Sequence, residues 1–492
     1  MSLAQQSCEL GGPLSTSAAT TTTNHDHAIE LEEINLENAY EDDLLAGAEG
    51  FPLDGGYGWV VAVCVFVANA HTWGINASWG VLLNHFLTND SFPGASKFLY
   101  ALIGGLSISQ SLIIAPVAVA AHARFGPRVT MLAGALFIFA ALCAAGSSTQ
   151  IWQLILTQGF VFGWGMGFIY LPAMEVLPHW FSRHRSLAVG LAASGAGLGG
   201  LAYSLLTGQL LQRYDVVWTY RILSFVSLVM NLASVAFLRQ HPLCRQRRRG
   251  SGDGITGKSQ HQALNPRHFG RVEILLVVLW GFVTELGYIT LLYSLPTYAT
   301  SIGLDPVQGS VAQALLNLGS AVGRPIVGYY SDRVGRINIA LAATFACALF
   351  VFALWLPAHS YGALLAFSLL VGTVCGTFWS SISPVLAEVV GLVELGGVMG
   401  SICFALVLPT TFAEAIAIQL VDGGGGFGAF LNGQVFVGCM FLAGALSLLG
   451  LRTWKIADKE GSRPGNAGAA RGLSGHGRFW LTPRRAFRLE RV

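Results

Sequence analysis

From Tyr57 to Leu451 the chain alternates between long apolar runs and short polar breaks, and the runs share one recurrent length. Each holds about 20 residues, the length an α-helix needs to cross the hydrocarbon core of a bilayer. Twelve runs are predicted to span, at 57–86, 97–121, 129–148, 150–172, 186–208, 219–238, 271–295, 308–331, 337–357, 361–386, 396–420 and 431–451. The expected fold class is an all-α polytopic membrane protein. The polar stretch "RQHPLCRQRRRGSGDG", from Arg239, opens a break that divides the runs six and six. The expected layout is therefore a tail over 1–53, a six-helix bundle over 54–238, a basic linker over 239–270, a second six-helix bundle over 271–451 and a polar, basic tail over 452–492.

Composition agrees with the pattern. Of 492 residues 53% are hydrophobic and 11% charged, with mean hydropathy +0.57; soluble domains carry roughly 25% charged residues. The 60 glycines suit membrane helices whose backbones approach closely. Eight cysteines are scattered without a C-x-x-C pair and read as small core residues, so neither a disulfide nor a metal site is expected. Residues 1–53 lack Lys and Arg, are rich in Ser and Thr and then acidic, and read as a disordered tail. No basic segment precedes an apolar one at the start, so the first apolar helix is expected to serve as the insertion signal.

Charge sets the expected orientation. With the N-terminal tail cytoplasmic, 24 of the 28 Lys and Arg residues lie on the inner side, three (Lys97, Arg213, Arg221) in outer loops and Arg324 within a span. That bias places both termini in the cytoplasm. A glycosylation sequon at Asn89 then falls in the first outer loop. The plasma membrane is the expected location, with a vacuolar or other organelle membrane as the alternative.

Between the eighth and ninth runs the chain reads "GRPIVGYYSDRVGRIN". Gly328, Asp332, Arg333, Gly335 and Arg336 fit G-x-x-x-D-R-x-G-R and resemble the loop signature of the major facilitator superfamily. Gly328 lets two helices pack closely, Asp332 can pair with arginines or face a helix N-terminus, and Arg333 and Arg336 hold the loop inside. The matching place in the first half, "VAVAAHARFGPR", keeps Arg124, Gly126 and Arg128, with Val119 and Ala123 at the glycine and aspartate positions. One intact and one eroded copy imply an internal repeat.

Two further motifs narrow the resemblance. "DGGYGWVV" opens the first run, and "HWFSRHRSLAVGLAASGAGLGG" precedes and enters the fifth. Together they resemble the two signatures of the monocarboxylate transporter family, in its fungal branch, over about 57–451. Asp54 suits a helix N-cap, Gly55 and Gly56 a close helix start, and Tyr57 and Trp59 the membrane interface. With Arg183 and Arg185 of the second motif, these are read as residues of helix placement and gating. The resemblance implies two six-helix bundles, a central site reached by alternating access, and cargo ranging from lactate-like acids carried with a proton to riboflavin and secondary metabolites.

Ionisable groups within spans are functional candidates by default. Arg324 stands where the resemblance places a substrate-binding arginine, and its guanidinium can hold a carboxylate with two hydrogen bonds. The family's aspartate one turn earlier is Ser320 here, and its lysine late in the first span falls at Asn76–Ala77. Two of the three charges of the proton–lactate arrangement are thus missing. Glu285, His71 and Glu414 are the candidates for carrying a proton in their stead. Tyr288, Asn317 and Trp379, with Asn69, Gln110 and Tyr293, are candidate cavity residues. Glu175 and Glu388, at inner ends, are expected to partner Arg183, Arg185 or Arg336.

The expected function is secondary transport of a small organic molecule, an organic anion by the arginine, with proton coupling open. An efflux pump for a biosynthetic product and a non-transporting nutrient sensor on the same fold are the alternatives. No clustered catalytic set marks an enzyme, "HWFSRH" lacks the spacing of a metal site, and the glycines at 423–426 lack the context of a phosphate loop. The expected partners are the substrate, protons and membrane lipid, without nucleic acid or cofactor, and the chain is read as a monomer.

Overall fold

The computed structural model describes residues 54–88, 92, 97–242, 269–392, 394–420 and 428–461. Asn89, the acidic tail, the linker core and most of the C-terminal tail lie outside the described residues. Among the described residues every regular element is helical, and helices stand at all twelve expected positions. We number them α1 (Tyr57–Leu83), α2 (Lys97–Ile113 with Ala115–Phe125), α3 (Pro127–Gly146), α4 (Ile151–Trp180), α5 (Arg185–Arg213), α6 (Val216–Phe237), α7 (Val272–Ser301), α8 (Pro306–Val334), α9 (Arg336–Trp355), α10 (Tyr361–Val389), α11 (Leu395–Ala413, its helix continuing to Gln419) and α12 (Leu431–Gly461). The end at which α1 starts is called inner.

Ten of these helices are long and apolar enough to cross a membrane, eleven when the two parts of α2, bent by 43°, count as one span. The twelfth, α8, falls short in apolar character because it carries Gln308, Gln313, Asn317, Ser320 and Arg324 along its length. α12 runs past the expected boundary at 451, since Ile456 and Ala457 are still buried against the bundle.

Local chemistry explains the ends. α8 begins with Pro306 behind Asp305, which forms a capping box with Gln308. α2 and α8 both end on a glycine with positive φ, Gly126 at 87° and Gly335 at 120°. These are the paired glycines of the two loop motifs, so the internal repeat is present in backbone conformation even where its side chains have diverged.

α5 packs on α8 and α2 on α11, and these pairs join the two halves. The α5–α8 seam depends on missing side chains. A carbon added to Gly190 would lie 2.4 Å from the Arg324 carbonyl oxygen, and one on Gly328 2.3 Å from that of Ser186. Outward, α6 presents Trp218, Phe225, Val229 and Phe237 exposed, as a lipid-facing surface requires. Four spans are interrupted: α1 at His71–Thr72, α2 at Ile114, α10 at Gly376 and α11 at Leu406. Such breaks survive at membrane depth only where the backbone is enclosed by protein or lines a cavity.

Candidate functional site

The break in α10 lies against Arg324. Arg324 is 8% exposed, and its Nη1 donates to the Ala193 carbonyl of α5 at 2.6 Å. The guanidinium therefore touches both halves. Its Nε has no protein hydrogen-bond partner, nor does the hydroxyl of Ser320 one turn above. Both face Gly376: a carbon added there would stand 2.8 Å from Nε and from Nη2, and 3.1 Å from Ser320 Oγ. The glycine gives the guanidinium room to lie against the broken helix.

Glu285, 2% exposed, reaches the same place from α7. Its carboxylate accepts a hydrogen bond from Trp379 and lies within electrostatic reach of Arg324. Tyr288, one turn on, is within reach of both charges. An acid thus stands within electrostatic reach of Arg324 from a neighbouring helix, α7. Trp379 also meets two rings of the first half, Trp73 of α1 at 6.0 Å and Tyr170 of α4 at 5.8 Å, and these two lie 5.6 Å apart. Tyr170, which feels both Arg324 and Glu285, has an unpartnered hydroxyl, and Trp73 an unpartnered Nε1.

Other expected residues lie elsewhere. Asn317, two turns above Arg324, packs on Gly197 and Gly200 of α5. His71 bonds through Nδ1 to the Tyr203 hydroxyl, and its carbonyl accepts from Ser227 of α6 at 3.1 Å, so it belongs to an α1–α5–α6 network. Asn69 donates to the carbonyls of Val65 and Ala192, and Gln110 accepts from Trp164. Glu414 falls in the helix Val407–Gln419, its side chain outside the described residues. Trp73, Tyr170 and Gly376 were missed. Their signals were a glycine two residues before the aromatic pair in "GTFW" and aromatics within apolar runs, patterns too common to single out unaided.

The motifs gather at the inner end around the start of α5. Asp54, with φ 64°, accepts from the backbone N–H groups of Ser182, Arg183 and His184 at 2.8–3.1 Å. Asp332, arriving from the other half, accepts from Ser186 and Leu187 at 2.9 and 2.8 Å. Two carboxylates thus satisfy five backbone donors of one helix start, where negative charge is favoured. Gly55 and Gly56 have open space beside them, whereas Gly58 sits against Trp180 and Phe181. Trp59 meets Phe181 edge-on at 5.0 Å, so the two motifs form one packed unit.

The inner arginines also divide in role. Arg185 is buried and donates to the carbonyls of Pro178 and Phe181. Arg183 is exposed. Arg333 lies over the Tyr329 ring. Arg336 faces Glu388 at 3.8 Å and Asp332 at 4.0 Å, and donates to the Ser182 carbonyl at 3.4 Å. Glu175 meets His122 at 3.9 Å instead of an arginine. Ser383 of α10 donates to the Met174 carbonyl of α4 at 3.4 Å, so the inner ends of the halves are in contact.

A family model described as the Major Facilitator Superfamily matches residues 59–413. The chain belongs to this superfamily. Major facilitators are transporters, and this one is a multi-pass membrane protein. The chain is 33% identical over 412 residues to the probable transporter MCH2 of Saccharomyces cerevisiae, covering 83% of this chain and 85% of that one. It is equally similar, over 416 residues, to the uncharacterized transporter ESBP6 of the same yeast, spanning 83% of this chain but only 61% of that relative's length. The agnestins efflux protein AgnL12 of Paecilomyces divaricatus is 29% identical over 327 residues, 66% of this chain and 71% of that one. Among solved structures, a double-tryptophan mutant of XylE superposes with TM-score 0.65 at 14% identity, covering 80% of this chain and 96% of that one. A partially occluded, inward-open form of the xylose transporter XylE from E. coli gives TM-score 0.57 at 14% identity over 80% and 97% of the two chains. At that identity the likeness concerns the fold alone.

The Asp332 contact spans the two halves at their inner ends, so parting those ends breaks it, while the Asp54 contact stays within one half. Asp332→Asn is expected to weaken the closed state by on the order of 1–2 kcal/mol, about tenfold in the closed-to-open ratio. The check is labelling of a cysteine placed at Ser383 in a cysteine-free background. Reaction from the inner side should rise several-fold over the same protein with Asp332 intact.

Proposed function

We propose that the chain is a secondary transporter of a small organic anion, working by alternating access with proton coupling. The observation that carries this reading is the buried Arg324, bonded to α5 across the seam and close to Glu285, with unpartnered donors beside it. A substrate carboxylate has two N–H groups to engage there, which is the strong geometry for arginine. A carboxylate in that place takes up the positive charge that Glu285 otherwise feels. An unpaired carboxylate in an apolar setting favours its protonated form, so substrate and proton would load together. Because Arg324 holds a carbonyl of the opposite half, loading also bears on how the halves meet.

Net direction follows the combined gradients of substrate and proton. Export of a metabolic product is a second reading, favoured by the similarity to an agnestins efflux protein. The test is flux in vesicles made with the purified full chain. Labelled organic acids are expected to accumulate against their gradient when a pH gradient is imposed, and accumulation should stop when it is collapsed. Binding without flux would support a sensor, and accumulation indifferent to the pH gradient would remove the proton from the mechanism.

A further inference from the structure

The anion site is walled by aromatic rings from three helices and both halves, and the ring set constrains what the anion is attached to. Trp379 links the charges to the rings: its indole donates to Glu285, and its ring meets Trp73 and Tyr170. The two tryptophan rings are tilted by 35° to each other, whereas Tyr170 meets each of them nearly at right angles, 82° and 81°. Trp73 and Tyr170 belong to one half and Trp379 to the other. When the halves part at this level, Trp379 separates from Trp73 and Tyr170, and ring surface is uncovered within electrostatic reach of Arg324.

Two polar atoms narrow the ligand further. Tyr170 is 5% exposed with no partner for its hydroxyl, and the buried Nε1 of Trp73 has none either. A buried donor without a partner is unfavourable and is satisfied by a group that brings an acceptor. A lactate-sized acid would occupy Arg324 and leave both the ring faces and these donors unmet. A flat ring bearing a carboxylate would cover the π faces that Trp379 leaves open as the halves part. An oxygen substituent on that ring would meet Tyr170 or Trp73.

We propose that the substrate class is aromatic carboxylic acids, with ring-oxygenated members preferred over unsubstituted ones. Trp73, Tyr170 and Trp379 hold the ring, and Arg324 holds the carboxylate. This rests on the anion-transport reading above. It assigns a specificity role to Trp73 and Tyr170, neither of which carries charge at the site.

The experiment is calorimetric binding to the full chain in lipid nanodiscs, with 4-hydroxybenzoate, benzoate, cyclohexanecarboxylate and lactate as probes. Benzoate and cyclohexanecarboxylate share charge and approximate size and differ in aromaticity. Benzoate is expected to bind about tenfold more tightly than cyclohexanecarboxylate, and 4-hydroxybenzoate more tightly again. Trp73→Leu should bring the benzoate-to-cyclohexanecarboxylate ratio close to one, while Trp73→Phe keeps most of it. Tyr170→Phe and Trp73→Phe each remove one of the two unpartnered donors, and the two together should erase the preference for the hydroxyl. Monodispersity and melting temperature of each variant separate a lost preference from a lost fold, and Trp73→Phe provides the well-folded comparison. Equal binding of all four acids, abolished by Arg324→Gln, overturns the aromatic class and leaves the anion reading standing. Binding unaffected by Arg324→Gln, or none at all, overturns the anion reading and this inference with it.

Discussion

Arg324→Gln is expected to reduce transport of an anionic substrate at least 100-fold while the protein still inserts and purifies as a monodisperse species. The reason is the arginine's chemistry at this place. Hydrogen bonds to charged groups contribute roughly 1.5–3 kcal/mol each, so losing a bidentate grip removes about 3–6 kcal/mol, two to four orders of magnitude in affinity. Glutamine, whose amide nitrogen ends two bonds short of Nη1, gives up the bond to the Ala193 carbonyl and cannot offer a fork to a carboxylate. The substitution also takes away the positive charge within electrostatic reach of Glu285, which makes an ionised carboxylate in that buried place costlier. Uptake of the proton by Glu285 relieves that penalty, which is why folding is expected to survive. The double variant Arg324→Gln with Glu285→Gln makes the distinction. It should regain any stability lost in the single variant and regain no transport. Normal anion flux in the single variant would remove Arg324 from the site.

Glu285→Gln is expected to separate exchange from accumulation. Glutamine resembles the protonated carboxyl in shape and lacks charge, so Arg324 should stay free for the substrate throughout the cycle. Exchange of labelled for unlabelled substrate across the vesicle membrane should persist within about threefold of the unaltered protein, because the substrate's own carboxylate still balances Arg324. Uphill accumulation driven by a pH gradient should be lost, since no proton is taken up with the substrate. In the unaltered protein, acidifying the side from which substrate enters favours loading, and the variant should show a flat response there. Measuring exchange and accumulation in the same vesicles checks both. Coupling that remains intact would place the proton on another group.

Much of the architecture was legible as pattern. Apolar runs of bilayer length, their division six and six, and the repeated loop motifs are enough to imply this helix count and this superfamily. Even the eroded repeat copy could be read, because Gly126 and Gly335 hold their places at ends that require positive φ. Arg324 stood out for an equally simple reason: a permanent charge within a span needs a purpose. The limit appears at α8, whose polar residues weaken its apolar signal, Asn317 because it faces the seam and Ser320 and Arg324 because they face the site.

The sequence by itself determined the helices, the family motifs and the cation at membrane depth, since these depend on local composition and on spacing along one chain. Tertiary structure alone decided which side chains meet. Glu285 comes beside Arg324 from another helix, while His71, equally plausible in sequence, turns to Tyr203 and α6. Trp73, Tyr170 and Trp379 converge from three helices, and Asp54 and Asp332 reach the start of α5 from opposite halves. Helical periodicity states that a helix has faces without stating which neighbour each face will find. That choice is made where glycines such as Gly190 and Gly328 let α5 and α8 come close enough to fix their register, a property of two backbones in contact.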